Sequence, residues 1–158
     1  MRTLIEIWRS VLVGTLVASL ILNSGETLLH GVVMASQWQG AVALLGKTLD
    51  TSIGAWVLIL IGNSIHCVAL VGLAALIDSR GNSAPKVAVV AGVAVWAVGW
   101  LAPVIGALPL GLFPLWMWGV VLGVGFIELI VAAFCGLWVY RRCMGKMPRP
   151  AGAAISAV

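Results

Sequence analysis

"SVLVGTLVASLILNSGETLLHGVVM", residues 10–34, holds no lysine, arginine or aspartate and a single glutamate. As a helix rising about 1.5 Å per residue, a run of this length crosses a hydrocarbon layer of ~30 Å. Inside it Asn23, Glu26 and His30 recur at spacings of three and four, so they share one helical stripe, which Ser19 and Thr15 continue. A charged or strongly polar group at bilayer depth costs at least ~2 to 3 kcal/mol on insertion scales, so the stripe must turn away from lipid, toward other helices or water. The segment therefore predicts a membrane span together with a bundle for that span to pack in.

The rest of the chain supplies the bundle. Its 158 residues are 62% hydrophobic and 9% charged, and the mean hydropathy of +1.14 lies far outside the soluble range. Further apolar runs at about 54–77, 87–108 and 115–139 join residues 10–34 as candidate spans, and no strand-like alternation competes with helix. The breaks are polar with Gly81 and Pro85 in one case, and tight and apolar with Pro109 and Pro114 in the other. Residues 37–48, with Trp38, Ala41, Val42, Leu45 and Leu49 at helical spacing, are too short to cross and read as a short interfacial helix or a re-entrant turn. The expected fold is all-α: one integral membrane four-helix bundle with a tail over 140–158.

Lysine and arginine set the orientation. Arg2, Arg9, Arg80, Lys86, Arg141, Arg142, Lys146 and Arg149 fall on one side of the spans and Lys47 alone on the other, which predicts cytoplasmic termini. The net charge of +4 is then mostly a topological signal and membrane lipids are the expected partner; a nucleic-acid surface would need a soluble basic face that the chain lacks. Arg2 and Arg9 ahead of an apolar stretch resemble a signal peptide, but the stretch is long and has no clear small-x-small cleavage site, so it reads as a retained span. Six tryptophans sit near predicted span ends, as an aromatic belt would, whereas Trp96 and Trp100 lie within the third span as an i, i+4 aromatic contact face. Cys67, Cys135 and Cys143 read as small apolar packers.

Asn63 and His66 share a face of the second span, and Glu128 lies mid-span in the fourth beside Gly125 and Ala132. Counted from the outer end, Asn23, His66 and Glu128 come out at roughly 17 to 20 Å depth, Glu26 and Asn63 at roughly 12 to 14 Å and His30 at roughly 6 Å. The expectation is a polar cluster of Asn23, Glu26, Asn63, His66 and Glu128, with His30 on the access side. Interhelical hydrogen bonding is the plain role for the two asparagines. Two glutamates and both histidines of the chain point further, to a transition metal held by Glu26, His30, His66 and Glu128, to a pigment, or to a proton relay. Only two carboxylates lie within the predicted spans and no Glu-x-x-His pair is present, which is short of a di-iron set.

Two resemblances follow from these residues. A buried first-helix carboxylate in a four-span chain resembles small multidrug-resistance exporters in topology and in the position of Glu26, and this implies a proton-coupled transporter working as a homo-oligomer. "LNSGETLLHGVVMASQW", residues 22–38, is similar to the first span of a family of small four-span bacterial inner-membrane proteins, matching an N-x-x-E followed by tryptophan at Asn23, Glu26 and Trp38. That second resemblance implies a bacterial inner membrane and no activity. The sequence is expected to encode an accessory or structural subunit of a larger membrane complex, or else such a transporter, with Gly119-x-x-x-Gly123 as a close-contact face for another helix.

Overall fold

The computed structural model describes residues 4–78 and 82–146, so Arg2, Arg80, Arg149 and the expected tail beyond 146 lie outside the described residues. Among the described residues every regular element is helical. In order they are α1 (Leu4–Leu28), a π-helical turn (Leu29–Val33), α2 (Ala35–Leu44), α3 (Ile53–Asp78), α4 (Ala84–Trp96), a second π-helical turn (Ala97–Leu101), α5 (Ala102–Ala107), a 3-10 turn (Leu108–Leu110) and α6 (Leu115–Lys146). Four stretches, Leu4–Val33, Ile53–Asp78, Ala84–Leu110 and Leu115–Gly145, are long and apolar enough to cross a membrane.

These four form a square, with α1 and α4 each wedged between α3 and α6, which touch across the diagonal. Neighbours run antiparallel: Gly14 of α1 meets Val71 and Gly136, while Gly31 meets Trp56 and Gly25 meets Glu128. The tightest approach is at Gly14 and Gly136, where a Cβ on Gly14 would lie 2.7 Å from the Gly136 carbonyl oxygen and one on Gly136 would lie 2.7 Å from Val71 Cγ2. Side chains are excluded there, so backbones touch as small residues permit. Around that point Val11, Ala18, Leu22, Leu70, Ala74, Leu129, Ala133 and Leu137 form the interior. Outward faces carry Leu16, Leu20, Leu58, Ile65, Val98 and Ile127 in the open.

Local chemistry explains the joints. The helix α2 ends in a Schellman arrangement: Gly46 takes φ +68°, its N–H reaches Ala43 O, and Lys47 N–H reaches Val42 O. The chain then turns at Asp50, whose carboxylate accepts the Ser52 N–H at 2.9 Å, and Ser52 Oγ accepts the Ala55 N–H as the cap of α3. Those Ser52 donors hold the exposed Asp50 carboxyl below its usual range, so it is charged at neutral pH. In the third span Pro103 has no N–H and its ring would strike the carbonyl one turn back. The π-helical turn lies just ahead of it, with the Ala102 N–H reaching back five residues to Ala97 O.

The fourth span runs further than its apolar run of 115–139. Arg142 stacks 4.3 Å from the Trp138 ring centroid one turn back, and Arg141 forms an ion pair with Asp78 and also donates to Asn82 O, so α6 stays helical to Lys146 and fastens the α3–α4 connection. Arg141→Lys keeps the charge and loses the fork that grips two acceptors. Both partners are partly solvated, so a loss of no more than about 1 kcal/mol is expected, read as a lower thermal unfolding midpoint in detergent.

Candidate functional site

The polar stripe of α1 builds a site at the end of the bundle closed by α2. Glu26 is 7% exposed, on the same inward face as Leu22 and Leu29. His30 follows one turn later in the π-helical turn, and its Nε2 lies 2.9 Å from Glu26 Oε2. Beyond the turn α2 folds back, and Trp38 Nε1 donates to His30 Nδ1 at 2.8 Å. An indole N–H can only donate, so Nδ1 accepts and Nε2 carries the imidazole proton that points at Glu26. The tautomer follows from the partners. Trp38 is held in turn edge-on to Phe113, centroids 5.0 Å apart, and Phe113 edge-on to Trp118 at 5.4 Å, which ties α2 to the start of α6.

Glu128 completes the group from α6. Its carboxyl occupies the space that a Cβ at Gly25 would need, so a glycine at 25 is the condition for Glu128 to reach α1. There it interacts with both Glu26 and His30. The contacts of Gly14 with Val71 and of Gly31 with Trp56 set the α1–α3 register, and that register places Asn23 level with Asn63. Gly25 against Glu128 places both asparagines within a turn of the carboxyl pair. Asn23 Oδ1 and Asn63 Nδ2 are buried and make no hydrogen bond, whereas the Glu128 carboxyl hydrogen-bonds to that of Glu26.

A recess of about 200 Å³ opens beside His30, walled by Trp38, Trp56, Leu49, Asp50 and Thr51. It connects the surface to the imidazole and brings the charged Asp50 to its rim. At this end α2 and the 45–52 turn lie beside His30.

The other singled-out residues assemble elsewhere. His66 Nδ1 donates to Gly62 O at 2.9 Å, and its ring lies over Gly99, where a Cβ would come within 2.8 Å, edge-on to Trp100. Trp100, 8% exposed, presses on Gly125 of α6. Trp96 donates to Leu122 O at 3.0 Å and meets Phe126 edge-on. Trp96 and Trp100 thus knit the third span to α6. The four side chains expected to ligate a transition metal do not converge: among the described residues no three His, Cys, Asp or Glu groups are placed to hold one. Shared depth brought His66 into the expected cluster, but depth does not fix which neighbour a side chain faces, and His66 faces α4. Cys67 is buried and interacts with Ser19, a packing position.

Three contributors escape a reading of spacing alone. Trp38 looks like one more interfacial tryptophan, Gly25 like one more small residue and Asp50 like loop polarity. The placement of Trp38 eight residues after His30, across a break, is the one signal the sequence offers. Comparison with protein-family models, with curated proteins and with solved structures finds no match to this chain.

Proposed function

We propose that this chain is a multi-pass bacterial inner-membrane protein that moves protons through a Glu26–His30–Glu128 relay, working as a small proton-coupled transporter. Four apolar helices with open leucine, isoleucine and valine faces support insertion. The division of lysine and arginine, with Lys47 alone on the α2 side, supports cytoplasmic termini. A cysteine placed at 47 is then expected to react with impermeant reagents from outside only. Labelling from the cytoplasmic side alone would reverse the orientation.

The observation that carries the reading is the unbroken chain Trp38 Nε1–His30–Glu26 with Glu128 beside it. His30 Nε2–H already points at Glu26, so a proton delivered to Nδ1 from the recess lets the Nε2 proton pass to Glu26 Oε2, and the imidazole returns to neutral in its other tautomer. Glu128 is the next acceptor, and the deeper asparagines continue the polar path. Trp38 guards the first step, because Nδ1 takes no proton while it accepts the indole bond. Proteoliposomes with a trapped pH dye, given a pH gradient in mixed sodium and potassium chloride, are expected to show protein-dependent proton uptake. Parity with empty vesicles in every salt would end the reading.

Trp38→Phe tests the guard. Phenylalanine keeps the edge-on contact with Phe113 and removes the donor, which is worth about 1 kcal/mol, so uptake is expected to rise about fivefold. Slower uptake would instead give Trp38 a positioning role.

A second reading, a subunit of a larger membrane assembly, is favoured by one feature. Gly119 and Gly123 lie exposed on α6 with nothing within 4 Å of where a Cβ would stand, a surface suited to another helix. A mass above the monomer after gentle detergent extraction supports it, and co-purifying chains distinguish a mixed complex from self-association.

A further inference from the structure

A furrow runs down the outer face of the bundle between α1 and α3. It consists of two open cavities, one of about 850 Å³ beside Ser19, Asn23, Ser24 and Thr27 of α1, the other of about 390 Å³ beside Thr15 of α1 and Ser64 of α3, and they join over Leu16, Ser19 and Leu60. From Thr15 to Leu28 the groove follows 13 residues, or about 20 Å of helix. Thr15, Ser19, Asn23 and Thr27 recur every fourth residue, so a polar line follows the groove through the first apolar stretch. Part of that line is already satisfied: Ser19 interacts with Cys67, and Ser64 donates to Leu60 O. Two members are not. Thr15 is 6% exposed, and its Oγ1, like the buried Asn23 Oδ1, has no hydrogen-bond partner among the described residues. Hydrocarbon tails offer no hydrogen bonds, so a groove filled by lipid leaves these groups unanswered.

We propose that a second copy of this chain fills the groove, the two α1 helices meeting along the polar line about a two-fold axis parallel to the bilayer normal. The occupant has to come from within the bilayer and bring donors and acceptors with it, which a helix can do and a lipid tail cannot. Hydroxyl and amide groups each donate and accept, so the line is complementary to itself, as a two-fold contact requires. Copies inserted with one topology run parallel, which sets Asn23 opposite the partner's Asn23. A half-turn of either amide presents its N–H or its oxygen, so the pair can bond in both directions. A change of χ1 rotamer turns the Thr15 hydroxyl the same way. Leu16, Leu20 and Leu28 stand exposed along the rims and pack around that seam. Association in lipid is driven by packing and interhelical hydrogen bonds rather than by apolar burial, and Asn, Ser and Thr supply those bonds. The glycines of α6 wall no part of this groove, so the contact is separate from the Gly119–Gly123 surface and does not depend on the proton relay.

The test is association of the full chain, located by cross-linking. Copies carrying two different affinity tags, co-expressed and extracted gently, are expected to co-purify, and light scattering should give twice the mass of one chain. In native membranes Leu20→Cys is expected to give a strong homodimer band with a short bismaleimide, well above the parent protein with its three native cysteines. Ile127→Cys, exposed on α6, should stay at the parent level. Asn23→Leu is expected to weaken the dimer about tenfold and Thr15→Val about threefold, read as the lipid dilution at which the copies separate, with helical content by circular dichroism unchanged. Gly123→Leu should leave this dimer intact. A monomer in membranes as well as in detergent leaves the groove to lipid and overturns the proposal. So does a dimer that cross-links at 127 and not at 20, or one that separates in Gly123→Leu and survives Asn23→Leu. If Asn23→Leu fails to fold, the comparison of positions 20 and 127 decides alone.

Discussion

Glu128→Gln is expected to cut proton uptake by about a hundredfold or more while leaving the helical fold and its unfolding midpoint nearly unchanged. The amide is close to the carboxyl in shape and fits the space that Gly25 leaves beside α1, so packing is retained. It still donates and accepts hydrogen bonds. What it lacks is a proton that it can release and regain, and removing a positioned proton carrier commonly costs ~10² to 10⁴-fold in rate. Glu26→Gln should behave alike, with one difference: it also deprives His30 Nε2 of its carboxylate partner, so the histidine loses an anchor. Uptake that survives both substitutions would make the carboxyl pair a packing element and withdraw the relay.

The largest loss of stability is expected from Gly136→Leu. A leucine there must place its first carbon 2.7 Å from Val71 Cγ2 and 3.1 Å from Gly14 O, and three more carbons beyond, where α1, α3 and α6 meet. Overpacking of this kind costs about 1 to 3 kcal/mol, and the upper end applies because one of the obstructing atoms is a backbone carbonyl. Leucine's better helix propensity returns about 0.8 kcal/mol. A net loss of about 2 kcal/mol should appear as a clearly lower thermal midpoint. Gly123→Leu is the control, because nothing lies within 4 Å of its Cβ position, and the isolated protein should be as stable or more so. If the α6 surface holds a partner, Gly123→Leu releases that partner without unfolding the bundle.

Helix class and number were legible because each span is a long apolar run, and periodicity alone put Glu26 and His30 on one stripe. The ends were less so. Residues 140–146 look like tail by composition, yet they are helical because Arg142 covers Trp138 and Arg141 grips Asp78, contacts that hydropathy does not register. The π-helical turn at Ala97–Leu101 had only Pro103 to announce it. Within the site, the i, i+4 pair of Glu26 and His30 is local and so could be read directly. The tie from Trp38 depends on how α2 folds back, and the reach of Glu128 depends on a glycine in another helix. Those are tertiary facts. The separation of His66 from the carboxyls has the same origin: its depth was calculable from the sequence, its azimuth was not.

The Gly14–Gly136 contact has a mechanical meaning. It clamps α1 to α6 at one height and sits far from the α2 end, which makes it a fulcrum with a long arm. From Gly14 to His30 is 16 residues, or about 24 Å of helix. Tilting α1 by about 5° about the clamp would swing His30 and its partner Glu26 by about 2 Å relative to Glu128 of α6, while the clamped glycines barely slide. Leverage of this sort lets a rigid rod open and shut one end of a bundle without melting a single turn. Bulk at 136 would displace that pivot, and moving a pivot changes every stroke made around it.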